Sequence, residues 1–190
     1  MFHWYQLFDG SYAAWIVLEL WIFLRDHRKS SGTSGDRGSL ILLIAMLFIV
    51  LTGAWYATTA LGWARFAAFR LPIFLIGLAL VWGGIALRLW AVLTLGRFFR
   101  TTVIVQDEHR LVETGPYRLL RHPSYTGTLL TLLGFGLCFG NWIALALLTL
   151  GPLLAYSYRI AVEEQALRLR FGPQYEDYAH GRWRLVPFLM

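Results

Sequence analysis

Two stretches of this chain gather side chains able to bind and align reactants, residues 106–127 and residues 159–187. The first contains an uninterrupted run from His109 to Gly127, HRLVETGPYRLLRHPSYTG. Gly115-Pro116 is a turn signal. Pro123 pushes His122 towards extended backbone and suits the first turn of a following helix. His122 and Ser124 therefore sit where a loop enters a helix, and backbone N–H groups at such an entry can receive an anion or a polar cofactor edge. Tyr117 and Tyr125 flank the turn with aromatic faces and hydroxyls. A second reading of the same run is a positively charged loop that anchors a helix among lipid headgroups.

In the second stretch, helical pattern runs on through Leu167, Leu169 and Phe171 until Gly172-Pro173 stops it. A spacing of four puts Arg159 and Glu163 on one helix face. They form either a local ion pair worth a few tenths of a kcal/mol, or two sites with separate clients. Arg before Glu is the weaker orientation for such a pair, which favours separate roles. A carboxylate there can bind an ammonium, and an arginine can bind a carboxylate or phosphate. Glu164 points about 100° away from that face and could as easily be solvated.

The elements that must carry these residues are membrane spans. The chain has 190 residues, 57% hydrophobic and 15% charged, against about 25% charged in an ordinary soluble domain. Mean hydropathy is +0.54. The apolar residues gather into five segments, approximately 5–24, 40–61, 71–95, 125–139 and 142–158. The first three have the ~20 residues a span requires. The last two are shorter and separated only by Gly140 and Asn141, which reads as a tight hairpin. Expected is a single all-α membrane domain of about five spans with a short cytoplasmic helical tail. Residues 1–95 would form three N-terminal spans, and residues 96–190 the loop, hairpin and tail. The first apolar block starts close to Met1 without a basic flank, so no cleaved signal peptide is expected. Residues 30–39, rich in Ser and Gly, read as a flexible connector.

Arginine and lysine set the orientation. The first loop carries Arg25, Arg28, Lys29 and Arg37, and the second Arg65 and Arg70. The third carries Arg97, Arg100, Arg110, Arg118 and Arg121. The tail carries Arg159, Arg168, Arg170, Arg182 and Arg184, and the hairpin turn none. Fourteen basic residues thus fall on one side and two on the other, which places the tail and third loop in the cytoplasm and the N-terminus outside. Both reactive stretches would share one face. Topology already accounts for the net charge of +6, so nucleic-acid binding is not expected.

Two charges fall inside spans, where they are costly. Glu19 lies about 9 Å and Arg88 about 12 Å from the cytoplasmic ends of their segments, at 1.5 Å per residue. Similar depth makes a Glu19–Arg88 pair the leading reading. Cys138 is the sole cysteine, which rules out an intrachain disulfide. The histidines His3, His27, His109, His122 and His180 lack metal-ligand spacing. Walker, dinucleotide-fingerprint, HExxH and GxSxG motifs are missing from the sequence.

Taken together, the two stretches resemble the isoprenylcysteine carboxyl methyltransferase family of integral-membrane enzymes. The resemblance rests on H-x-L-V-x-x-G-x-Y at 109–117, R-H-P-S-Y-x-G at 121–127 and R-x-x-x-E-E at 159–164. F-G-x-x-Y-x-x-Y at 171–178 and R-x-x-P at 184–187 complete it. It covers roughly the C-terminal half, in the manner of the short prokaryotic form. It implies that S-adenosylmethionine sits in a cytoplasm-facing pocket lined by His109, Arg110, Leu111 and Val112. Tyr117, His122, Pro123, Ser124, Tyr125 and Glu163 would complete that pocket, and Arg159 would face a lipid-embedded acceptor. The implied reaction is direct methyl transfer to an isoprenylcysteine-type carboxylate positioned by Arg159. Phospholipid N-methyltransferases share similar tail motifs, and an amine acceptor would need a base, for which Glu164 is the nearby candidate. A sterol-reductase-like enzyme using NADPH carries a similar G-x-Y-x-x-x-R-H-P-x-Y-x-G run, and a non-catalytic membrane scaffold is the third reading.

Overall fold

The computed structural model describes residues 2–27, 37–66, 68, 70–99 and 111–187. His109 and Arg110 lie outside the described residues, as does most of the Ser- and Gly-rich connector. The described residues are mostly helical: α1 Phe2–His27, α2 Arg37–Ala60, α3 Arg70–Leu95, α4 Pro123–Phe139, α5 Trp142–Phe171 and α6 Pro173–Ala179. Short 3-10 turns occupy Gly62–Ala64, Gly96–Phe98 and Gly115–Arg118.

Helices α1, α2, α3 and α5 are long and apolar enough to cross a bilayer. Helix α4, with 17 residues, stands at the lower limit of about 17 for a span. At 1.5 Å per residue α5 is about 45 Å long, well beyond a hydrocarbon core of about 30 Å. Its C-terminal turns therefore project past the apolar layer and carry Arg159, Glu163 and Glu164 to the membrane boundary. The chain is an integral-membrane protein, and the large side chains Phe48, Trp55, Leu75 and Leu154 face outwards as lipid-facing groups should.

Helix α1 packs on α3, α3 on α4, α4 on α5 and α5 on α2. The core between them is built from Trp15, Ile22, Val50, Val81, Val92, Leu132, Phe135 and Leu148. Helices α3 and α4 meet along small residues spaced seven apart. Gly77 faces Gly134 and Gly84 faces Gly127, so closely that an added Cβ at Gly84 would stand 2.5 Å from the Gly127 carbonyl. Close backbone approach over small residues is how helices gain packing energy where lipid removes the hydrophobic drive.

The hairpin between α4 and α5 forms as expected. Gly140 takes the left-handed conformation, φ 64°, which glycine adopts without steric cost. Asn141 then caps α5, its Oδ1 accepting the N–H groups of Ile143 and Ala144 at 2.9 and 3.2 Å. Its Nδ2 donates to the carbonyls of Ala57 and Leu61 at the end of α2. Phe66 N–H donates to the Gly140 carbonyl, so the second loop and the hairpin share one end of the bundle. The third loop and the tail are bound together at the other.

Candidate active site

The tail attaches to the third loop through its backbone. Trp183 N–H donates to Leu119 O at 2.9 Å, Arg121 N–H to Trp183 O at 2.7 Å, and His122 N–H to Arg184 O at 3.1 Å. Thr126 Oγ1 adds a bond to Leu185 O at 2.7 Å. The donors expected to greet an anion at the start of α4 are thus partly engaged: those of Arg121 and His122 serve the tail.

Beneath this seam lies Glu164. It is fully buried, so the solvated placement left open by its position 100° from Arg159 and Glu163 does not occur. Arg121 Nη1 donates to its Oε1 at 2.9 Å, and Arg184 donates to Oε2 through Nη2 at 3.0 Å and Nε at 3.2 Å. His122 Nε2 lies 3.3 Å from Oε1, and Arg168 Nη2 3.7 Å from Oε2. Folding of the tail and loop around α5 supplies Arg121, His122 and Arg184, and only Arg168, four residues on in the same helix, follows from helix geometry. A carboxylate so enclosed by donors has its lone pairs committed, which is why it can be buried at all.

Arg159 and Glu163 do share a face, and Tyr125 stands between them. Its hydroxyl accepts from Arg159 Nε at 2.9 Å and donates to Glu163 Oε2 at 2.8 Å. His122 stacks on the Tyr125 ring, with centroids 5.6 Å apart and planes 5° apart. His122 Nδ1 lies 3.8 Å from Glu163 Oε2. Tyr156 also packs against Tyr125, with ring centroids 4.9 Å apart. Arg159 is buried, and the Glu163 side chain keeps 31% of its surface exposed. His122, Tyr125, Arg159 and Glu163 are therefore brought together, while Ser124 is buried and accepts from Arg88 and Pro123 is buried.

Leu111, Val112 and Tyr117 lie further out on the same end. Leu111 joins Glu113, Gln174, Asp177, Tyr178 and Arg182 in lining a groove of about 490 Å³. Arg182 organises that wall: its guanidinium donates to the carbonyls of Tyr117 and Tyr178 and to Glu113 Oε2. Burial pushes the Tyr178 hydroxyl up to about 12 and that of Tyr117 well above its ordinary range, so both remain neutral at physiological pH. The organising roles of Arg121 and Arg182 are not apparent from the sequence. Only the position of Arg121 directly before His122, inside a motif, marks it there.

The expected pair inside the membrane is present. Arg88 Nε lies 2.6 Å from Glu19 Oε1, and Nη2 donates to Oε2 at 2.7 Å.

Fold and site define a polytopic helical membrane protein with a buried polar centre where the third loop and tail meet. A family profile described as the isoprenylcysteine carboxyl methyltransferase (ICMT) family matches residues 75–169. The chain belongs to that family. It is 37% identical over 116 residues to a probable protein-S-isoprenylcysteine O-methyltransferase of Oryza sativa subsp. indica, covering 60% of this chain and 61% of the relative. It is 32% identical over 154 residues to the protein-S-isoprenylcysteine O-methyltransferase of Schizosaccharomyces pombe, covering 73% and 62%. A solved structure of the eukaryotic intramembrane Ras methyltransferase ICMT aligns with a TM-score of 0.66 and 25% identity, covering 96% of this chain and 67% of that one. The chain thus spans about three-fifths of the length of the curated relatives. The structural likeness includes α1 and α2, which lie outside the profile match.

Proposed function

We propose that this protein transfers a methyl group from S-adenosylmethionine to a carboxylate on a lipid-embedded, isoprenylcysteine-type acceptor. The observation that carries the reading is the Arg159–Tyr125–Glu163 bridge at the membrane boundary, in a chain of this family. It sets a guanidinium and a partly open carboxylate side by side, one suited to an anionic acceptor and the other to a cationic donor.

The residues suit the donor. Glu163 offers a carboxylate to an ammonium, and the stacked His122 and Tyr125 rings offer a rigid wall. When bound, S-adenosylmethionine supplies an electrophilic methyl group on a sulfonium, with a neutral sulfide as leaving group. The protein's share is alignment. Arg159 grips and orients the acceptor carboxylate, which is nucleophilic at neutral pH without a base. Burial at the boundary limits water, and holding the reactants in line can contribute on the order of 7–11 kcal/mol.

An amine acceptor fares worse. It needs a proton acceptor, and Glu164 is engaged by Arg121, Arg184 and His122 and shielded from solvent. That engagement supports a role for Glu164 in anchoring the tail over the site.

The test is calorimetric titration of the detergent-purified protein with S-adenosylhomocysteine and with NADPH. Labelled-methyl assays on an S-farnesylcysteine carboxylate and on phosphatidylethanolamine follow. Binding of S-adenosylhomocysteine and base-labile label on the prenylcysteine are expected. Preferential NADPH binding overturns the methyltransferase, and label on the lipid amine overturns the carboxylate acceptor.

A further inference from the structure

Arg88 does more than neutralise Glu19. Its Nη1 reaches across to α4 and donates to Ser124 Oγ at 3.0 Å and to the Ser124 carbonyl at 3.3 Å. Ser124 lies in the first turn of α4, one residue before Tyr125, whose hydroxyl joins Arg159 to Glu163. One guanidinium therefore ties three elements: α1 through Glu19, α3 through its own backbone, and the turn of α4 that enters the site. The Ser124 carbonyl also accepts from Thr128 Oγ1 at 3.2 Å, so the turn is held from inside its own helix and from outside it.

We infer that Arg88, oriented by Glu19, is a positioning residue that fixes the first turn of α4 and with it Tyr125. The inference takes its functional consequence from the methyltransferase reading. The geometry explains why arginine stands here. A planar fork can present two edges at once, one to the Glu19 carboxylate and one to Ser124. An ammonium is a single point and satisfies one partner at the expense of the other. Keeping such a charge within a span is costly, and a pair serving only to neutralise itself would be removed at no loss by two apolar residues. The extra bonds to Ser124 give it a task that apolar packing does not replace. Because Glu19 comes from α1, the device also makes that helix, outside the profile match, part of the alignment of the site.

The experiment compares wild type, Arg88→Lys and Glu19→Gln in detergent. Amide hydrogen exchange is followed by mass spectrometry, with thermal unfolding, S-adenosylhomocysteine titration and prenylcysteine methylation alongside. In Arg88→Lys, exchange should rise about tenfold or more in residues 122–128 and stay near wild type in residues 142–158, since local opening tracks local contacts. Turnover should fall by about tenfold or more, beyond what the unfolded fraction explains. Glu19→Gln, which keeps a hydrogen-bonding side chain but loses the charge that orients Arg88, should show the same pattern more weakly. Unchanged exchange at 122–128 in Arg88→Lys overturns the inference. So does a rise spread evenly over α1, α3 and α4, which is what loss of general stability produces. Exchange is read without substrate, so a wild type that binds no S-adenosylhomocysteine sinks the methyltransferase reading and leaves the role of Arg88 decided by its own measurement.

Discussion

At the scale of single residues, neighbours on one helix turn have unlike surroundings and should fail in unlike ways. Glu163→Gln keeps the shape and removes the charge offered to a cationic donor, so affinity for S-adenosylhomocysteine should fall tenfold or more, about 1.4 kcal/mol. Arg159→Lys keeps the charge but loses the fork that grips a carboxylate. Its cofactor affinity should stay near wild type while methyl transfer collapses. Calorimetry and a transfer assay on both variants separate these outcomes, and equal small effects would reduce the two residues to an ion pair. Glu164→Gln should behave differently again, because its cations lose the charge they converge on. Removing one partner of a buried ion pair costs about 3–5 kcal/mol, with the lower end expected here because Arg184 and Arg168 reach solvent. The loss should appear as proteolytic sensitivity of residues 172–187 before any change in the hairpin. The Arg159–Glu163 face could be read from spacing alone because helix periodicity is local. The burial of Glu164 could not, since Arg121, His122 and Arg184 reach it only after the tail folds back.

At the scale of elements, the bundle depends on how closely α3 and α4 approach. Gly84 and Gly83 are adjacent in sequence and opposite in consequence. A Cβ at Gly84 meets Thr131 and the Gly127 carbonyl, whereas one at Gly83 meets nothing within 4 Å. Gly84→Ala should therefore lower stability by about 1–3 kcal/mol, the usual cost of overpacking. Gly83→Ala should be neutral or slightly stabilising, since alanine is the better helix former by about 1 kcal/mol. Thermal unfolding of both in one detergent decides it, and equal melting temperatures would mean the helices are not packed backbone to backbone. The element boundaries follow from hydropathy and from punctuation by Gly140, Asn141 and Gly172-Pro173, whose effects are local. The packing order of the helices is a different matter. The glycines of α3 and α4 repeat at seven, yet which of them face each other is fixed only when the helices meet. The Glu19–Arg88 pair was legible across elements because an isolated charge within a span is so costly that a partner at similar depth is favoured.

At the scale of the whole molecule, two sets of contacts divide the bundle into two ends. One end holds the second loop and the hairpin, joined by Phe66 N–H and the Gly140 carbonyl. The other holds the third loop and the tail, joined by Trp183 and Arg121. This division matches the alternation expected for the second loop and hairpin on one side and the third loop and tail on the other, while residues 28–36 of the first loop lie outside the described residues. The positive-inside bias predicts that the third loop and tail face the cytoplasm, and the proposed reaction depends on that prediction because its proposed donor, S-adenosylmethionine, is a soluble cytoplasmic molecule. Exposed positions at each end can carry the test. Trp63 beside the hairpin is 79% exposed, and the Glu176 side chain on α6 is 61% exposed. In a Cys138→Ser background, a thiol at Trp63 should react with a membrane-impermeant maleimide added outside intact cells, and a thiol at Glu176 only after the membrane is opened. Both variants should first show wild-type S-adenosylhomocysteine binding, so that a misfolded protein is not scored. Labelling of the Glu176 thiol from outside would put the polar centre away from its donor. The bundle geometry would survive that result, and the proposed reaction would not.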